Sequence, residues 1–217
     1  MTLDATWTRA WIERTADVVA TEHTALSELD RQIGDGDHGE NLSRGFTAVR
    51  AKLDALPEDA TPGAALKMVA TTLISTVGGA SGPLLGTAYL KGSAALGDST
   101  ELDAEALVAF LTAARDGVVL RGKAEVGDKT MIDAWTPAVD AAASAASEGA
   151  GPEAVLRAAA DAAAAGAAST EPLVARKGRA SYLGERAVGH RDPGAQSSSL
   201  IIAAAADAAA GSSQKES

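Results

Sequence analysis

An all-α fold is predicted by three features of this 217-residue sequence. Its 46% apolar content is carried largely by alanine, aromatic residues make up only 3%, and β-branched runs are few. Alanine has the highest helix propensity, whereas strands draw on β-branched and aromatic side chains. Apolar residues also recur at helical spacing between prolines and glycines that punctuate them. The length suits one well-packed domain, and the interior holds no Ser/Pro-rich or charge-run linker. A single domain is therefore expected over 1–211, with a solvated, disordered tail over 212–217.

The first helix is read from about Ala5 to Leu29, where Trp7, Trp11, Val18, Val19, Leu26 and Leu29 share a face and Glu13, Asp17 and Glu28 lie between them. A Gly/Asp-rich loop follows. The second helix runs from about Glu40 to Leu56, where Pro57 and an acidic turn stop it. Thr61 and Pro62 supply a cap and a first-turn proline for a third helix ending near Val77, at Gly78 and Gly79. Pro83 opens a fourth helix to Gly97, Asp103 caps a fifth reaching Leu120, and a sixth lies within 131–149, kinked or begun by Pro137. Gly151 and Pro152 open a seventh through the alanine-rich stretch to about Thr170, and an eighth lies within Gln196 to Ala209. Eight helices of similar length with short links predict antiparallel neighbours. The longer links, 30–41, 78–83, 121–131 and 176–196, are where function is expected.

Nineteen basic against 29 acidic residues give a formal charge of -10, with no Lys/Arg cluster able to neutralise a run of phosphates, so nucleic acid is not expected as a partner. With no cysteine, any metal must be held by oxygen or imidazole, which favours a hard cation. The opening MTLDATWTRAWIERT carries an early acid and no apolar core, and no stretch is apolar enough to span a bilayer. A cytoplasmic, soluble protein without a membrane partner is expected.

The strongest motif is the run from Asp30 to Asn41, DRQIGDGDHGEN. Asp30, Asp35 and Asp37 would repel one another if they converged, and Gly34, Gly36 and Gly39 free the backbone to let them converge. A divalent cation resolves that conflict, and Mg²⁺ commonly takes one or two carboxylates together with phosphate oxygens. Two familiar patterns overlap the run and fail. Gly34, Gly36 and Gly39 match the spacing of a dinucleotide fingerprint, but they follow a helix rather than a strand. A calcium loop begun at Asp35 would put Gly39 at an acidic position, Glu40 where the turn glycine belongs and Phe46 at the bidentate glutamate. The remaining alternative is a capping turn rich in aspartate, which accounts for one or two of the acids.

The segment Val77 to Pro83, VGGASGP, leads glycines into a proline-initiated helix, an arrangement that presents N–H groups beside a positive helix end. Taken alone it reads rather as an ordinary interhelical turn, and no Walker sequence occurs. The third signal comprises Gly122, the segment Gly127 to Trp135, and the loop Arg176 to Gln196, which gathers arginines, a lysine and a histidine in an otherwise acidic chain. That excess suits an anionic ligand or a neighbouring subunit as well as it suits solvent. Met131 and Trp135 have the character of core residues, and His23 that of a surface or packing histidine.

Together these stretches resemble the L subunit, or L domain, of the dihydroxyacetone kinase family. The segments carrying the resemblance are GDGDHGENL at 34–42, GGASGPLLGT at 78–87, GDKTMIDAWTPA at 127–138 and GRASYLGERAVGHRDPGAQS at 178–197. The resemblance implies a barrel of eight antiparallel amphipathic helices with the nucleotide, ADP or ATP, and two Mg²⁺ ions at one rim. It implies Asp30, Asp35 and Asp37 as metal ligands and catalytic groups. It also implies nucleotide contacts at His38, Gly39, Glu40 and Asn41, a phosphate loop at Gly79, Ala80 and Ser81, and base contacts at Gly122 and Met131. The remaining contacts fall to Arg179, Asp192, Pro193 and Gly194. Leu42 stands where the family commonly has methionine, an apolar exchange of little consequence. A related fatty-acid kinase domain shares the barrel but lacks the histidine after the last aspartate, so His38 favours the ketone kinase branch.

The implied activity is phosphoryl transfer, which needs alignment and cations more than covalent help. In this family a separate K subunit or domain holds the ketone through a histidine, and this sequence has only His23, His38 and His190. The expected partners are a substrate-binding K subunit, a phosphohistidine donor M subunit that recharges retained ADP, and a second copy of the chain. Two alternatives stand beside this: a subunit that exchanges ADP for ATP and acts on a tetrose or other ketose, and a nucleotide-sensing adaptor for a transcription regulator.

Overall fold

The computed structural model describes residues 2–213. Among them are eight α-helices: α1 (Ala5–Ile33), α2 (His38–Leu53), α3 (Pro62–Thr76), α4 (Ser81–Leu96), α5 (Ala104–Gly122), α6 (Ile132–Ser147), α7 (Pro152–Ser169) and α8 (Pro193–Ser213). A stretch of 3₁₀ helix, Arg179–Ala187, lies between α7 and α8. The described residues contain no strand beyond an isolated antiparallel bridge of Leu3 with Leu102. Each helix packs on the next, and α8 packs back on α1, closing the ring into a barrel. Because each link reverses the chain, the N-termini of α2, α4, α6 and α8 share one rim with the C-termini of α1, α3, α5 and α7.

Local chemistry accounts for the helix starts. Asp4 accepts from the N–H groups of Thr6 (2.8 Å) and Trp7 (3.1 Å), Thr61 from Ala64 (3.2 Å) and Asp103 from Ala106 (2.8 Å), each satisfying a donor that the first turn leaves orphaned. Prolines open α3, α7 and α8, where a missing N–H costs nothing. Pro137 lies inside α6. Its lack of an N–H leaves the Asp133 carbonyl without its usual partner, and that carbonyl faces Gly166 of α7, where a β-carbon would sit 2.2 Å away.

The barrel closes on tryptophan. Trp7 and Trp11 stack at 5.3 Å, Trp11 meets Phe110 edge-on at 5.6 Å, and both indoles are buried. Their N–H groups donate to the carbonyls of Ala205 (3.0 Å) and Ile201 (2.9 Å), tying α1 to α8. Elsewhere α6, α7 and α8 approach through buried alanines such as Ala138, Ala142, Ala159, Ala163 and Ala205.

Several boundaries differ from the sequence reading. Helix α1 continues through Asp30 to Ile33, α2 begins at His38, α4 begins at Ser81 with Pro83 in its first turn, and α8 begins at Pro193. The link 176–196 is not a plain loop, because it carries the 3₁₀ stretch, broken at Gly184 (φ 56°). The tail expected from 212 onward falls outside the described residues from residue 214, α8 running to Ser213.

Candidate functional site

The rim where the helix ends gather holds a cavity of about 500 Å³. Asp30 lies in the last turn of α1, Asp35 in the link and Asp37 at the N-cap of α2. One oxygen from each carboxylate falls within 4.8 Å of the other two. Asp30 is held for this: its Oδ2 accepts from the backbone N–H of Asp37 (2.9 Å) and of His38 (3.1 Å), which folds the link back on α1. The turn is possible only with glycine at 34, where a β-carbon would lie 2.1 Å from the other Asp30 oxygen. Arg179, from the 3₁₀ stretch, reaches Asp35 at 2.8 Å and places positive charge beside the three acids.

His38 is buried, and its two ring nitrogens meet Ser81 Oγ (3.1 Å) and Ser197 Oγ (2.9 Å), joining the starts of α2, α4 and α8. Burial pushes the imidazole down to about 4, against the pull of Asp37, the Pro193 backbone and Asp35. The ring is therefore neutral near pH 7 and donates to one serine while accepting from the other. At the start of α4 neither Ala80 nor any other side chain caps the first turn, so its N–H groups and the positive helix end face the cavity region beside Gly79 and Ser81.

The link 123–131 forms another wall. Asp133, buried at the start of α6, accepts from the N–H groups of Gly127 (2.5 Å) and Thr130 (2.7 Å). That fixes a turn in which Gly127 and Lys129 have φ of 92° and 63°. Met131, buried, faces Gly194, where a β-carbon would lie 2.9 Å from its Cγ. Leu84, Val118, Gly122 and Met131 make an apolar wall suited to a flat ring, while the acids, His38 and Ser81 make a polar one. Asp192 accepts from the N–H of Ala195 (2.7 Å) at the start of α8. Its carboxyl still meets the cavity, yet withdrawal from bulk water, with Asp133 and Asp30 adding to the effect against Ala195 and Lys129, pushes it up to about 7.

The cavity thus brings together Asp30, Asp35, Asp37, His38, Gly79, Ala80, Ser81, Gly122, Met131, Arg179, Asp192, Pro193 and Gly194. It does not take in Gly39, Glu40 or Asn41. Gly39 packs on α1, Glu40 is exposed 3.5 Å from His23, and Asn41 accepts from Arg44 at 2.6 Å beside Gly78. The sequence reading singled out the segments that hold Lys129, Asp133 and Ser197 but assigned none of the three a role. Ser197 and Asp133 carried no signal beyond their type, and a lysine so buried is unreadable from its neighbours. Met131 proves both core and cavity wall, and Trp135 is core, donating to Ser198 at 3.1 Å. The donor set fits a hard divalent cation: three carboxylates, one buried and two open to the cavity.

A family model for the DAK2 domain matches residues 32–207. The chain belongs to the DAK2 domain family. Among relatives of this DAK2 protein is the "PEP-dependent dihydroxyacetone kinase, ADP-binding subunit DhaL" of Escherichia coli (strain K12), 44% identical over 209 residues that cover 96% of this chain and 99% of that one. The L-erythrulose 1-kinase of Mycolicibacterium smegmatis is 36% identical over 194 residues, 89% of this chain but 34% of that protein. Among solved structures, the dihydroxyacetone kinase from C. freundii in complex with AMP-PNP and Mg²⁺ aligns with a TM-score of 0.70 at 26% identity. That match covers 95% of this DAK2 chain and 34% of the longer kinase, so the chain spans about a third of it.

Proposed function

We propose that this chain is the ADP-binding subunit of a dihydroxyacetone kinase. In this reading it carries a magnesium-bound adenine nucleotide and passes a phosphoryl group to dihydroxyacetone held by a separate K subunit. The observation that carries the reading is the trio Asp30, Asp35 and Asp37 at one side of a cavity whose other wall is apolar. Magnesium bound there would neutralise charge on the nucleotide phosphates and on the moving group. Asp30, Asp35 and Asp37 would hold the metal, two ions in the form the family uses. The start of α4 at Gly79, Ala80 and Ser81 would hold phosphate oxygens. Gly122 and Met131 would flank the base, and Asp192, Pro193 and Gly194 would close the site. Gly39, Glu40 and Asn41 serve by shaping the start of α2 rather than from the cavity wall.

Near-complete coverage of the E. coli subunit supports the subunit reading, with ADP retained as a cofactor and recharged by a phosphohistidine M subunit. A homodimer, cytoplasmic residence and the single-domain boundary at 211 belong to the same proposal. No helix of the described residues is long and apolar enough to cross a membrane. Acid extraction of purified protein followed by nucleotide chromatography is expected to yield ADP, and calorimetry on the stripped protein is expected to show Mg-ADP binding. Protein free of nucleotide that also fails to bind Mg-ADP would refute the assignment.

A further inference from the structure

Lys129 is itself among the residues that line the cavity, yet its side chain is turned away from solvent. It is 1% exposed, although lysine is among the residues least often fully buried. Its ammonium donates to three backbone carbonyls: Thr170 at 2.8 Å, Glu171 at 3.4 Å and His190 at 2.5 Å. An ammonium has three N–H donors, and all three are engaged. A lysine beside a phosphate site would ordinarily be assigned to the phosphate, but this one has no donor left to give. The left-handed backbone at 129, which a side chain adopts only at a cost of about 1–2 kcal/mol, is what turns it inward.

The three carbonyls belong to the two ends of one excursion of the chain. Thr170 and Glu171 close α7, and His190 precedes the start of α8. The ends are also tied directly: Gly189 N–H donates to the Glu171 carbonyl (2.8 Å), Asp192 N–H to Thr170 Oγ1 (2.9 Å), and the Arg191 guanidinium pairs with Glu171 at 2.7 Å. Between them the chain leaves the barrel, carries the 3₁₀ stretch and lays Lys177, Arg179 and Ala180 along the cavity. One further bond, Arg176 N–H to the Asp128 carbonyl (3.0 Å), returns this excursion to the link that bears Lys129.

We propose that Lys129 is a positioning residue, a buried ammonium that clamps both ends of the 170–192 excursion and thereby sets how long a nucleotide stays beneath it. The retention half rests on the nucleotide reading above; the clamp does not. Loss of the charge leaves three carbonyls without their shared donor, a cost that falls on the excursion and spares the far side of the barrel.

Lys129→Met keeps the length of the side chain and removes the donor. Two measurements test it, with far-ultraviolet dichroism confirming helical content. In nucleotide-free protein, hydrogen exchange of amides 173–190 is expected to accelerate while that of α3 and α4 stays as in wild type. In loaded protein, release of labelled ADP into excess unlabelled Mg-ADP is expected to be about tenfold faster or more, the worth of one charge-assisted hydrogen bond. A folded variant with unchanged exchange over 173–190, or with unchanged release, overturns the proposal. Should the methionine variant lose its helices, Lys129→Gln, which loses the charge and one of the three donors, carries the same two measurements: both are expected to shift in the same direction by less, and a folded variant unchanged in both overturns the proposal. A wild-type protein that never takes up Mg-ADP overturns the nucleotide reading, and the exchange measurement, which needs no ligand, still decides the clamp.

Discussion

Replacing Gly39 with alanine tests whether the packing of α2 on α1 holds the metal trio in place. A β-carbon at 39 would lie 1.9 Å from the His23 carbonyl oxygen and 2.7 Å from Ser27 Oγ. Both belong to α1, and the carbonyl is backbone, so it has no rotamer to yield. Restoring even a close contact of 3.4 Å requires α2 to withdraw by about 1.5 Å at its first turn. Two magnitudes oppose each other. Alanine in a helix gains about 1 kcal/mol over glycine, whereas overpacking of this kind typically costs about 1–3 kcal/mol. A clash with main chain belongs at the upper end, leaving a net loss of about 1–2 kcal/mol, which for a chain of this size lowers the melting temperature by roughly 2–8 °C. Function should suffer more than stability, because the same shift moves the His38 and Asp37 N–H groups away from Asp30 Oδ2 and spreads the carboxylates. Thermal denaturation and Mg-ADP calorimetry on one preparation read both effects. A variant as stable as wild type or more so, with unchanged Mg-ADP affinity, would refute the reasoning.

Asp37→Asn removes a carboxylate that makes no capping bond to α2, so the fold should persist while phosphoryl transfer to dihydroxyacetone falls by about 100-fold or more; without metal the variant should melt no lower than wild type, since fewer like charges converge. Near-normal transfer at saturating Mg²⁺ would withdraw Asp37 from the metal site. Arg179→Ala breaks an exposed ion pair with Asp35, so stability should change by less than about 1 kcal/mol while ADP release, followed with labelled nucleotide, accelerates. The Asp192 carboxyl, pushed up to about 7, keeps its proton in the folded chain over a range where the unfolded chain, at 3.8, has lost it. Wild-type stability should therefore decline relative to Asp192→Asn as pH rises from about 4 to beyond about 7, measured without metal or nucleotide; parallel curves for the two proteins would contradict this.

Much of the fold was legible because helix starts announce themselves locally. Thr61 with Pro62, Asp103, and Gly151 with Pro152 are legible as helix starts from residue type alone, and the structure has helices starting there. Asp192 and Pro193 make the same kind of signal, yet the sequence reading starts the last helix at Gln196, whereas α8 begins at Pro193. The 3₁₀ stretch left no periodic trace, being polar and interrupted at Gly184. Within the site, the three aspartates could be singled out because convergence of like charges demands an explanation. The roles of Lys129 and Asp133, which lie in a segment that was singled out, could not be read, because what defines them is backbone: carbonyls 41, 42 and 61 residues away for the lysine, and N–H groups of a left-handed turn for the aspartate.

The contact of α8 with α1 makes the barrel a ring sealed by its two most distant segments, with Trp7 bonded to a carbonyl 198 residues further along. During synthesis α1 must wait for nearly the whole chain before its tryptophans find their acceptors. The start of α8 also supplies Ser197 to His38 and Pro193 to the cavity, so the pocket is complete only when the ring is sealed. A chain lacking its last helix would present Asp30, Asp35 and Asp37 without their enclosure, and the sequence separation of the sealing contacts gives this helix pairing the largest loop-closure cost in the ring.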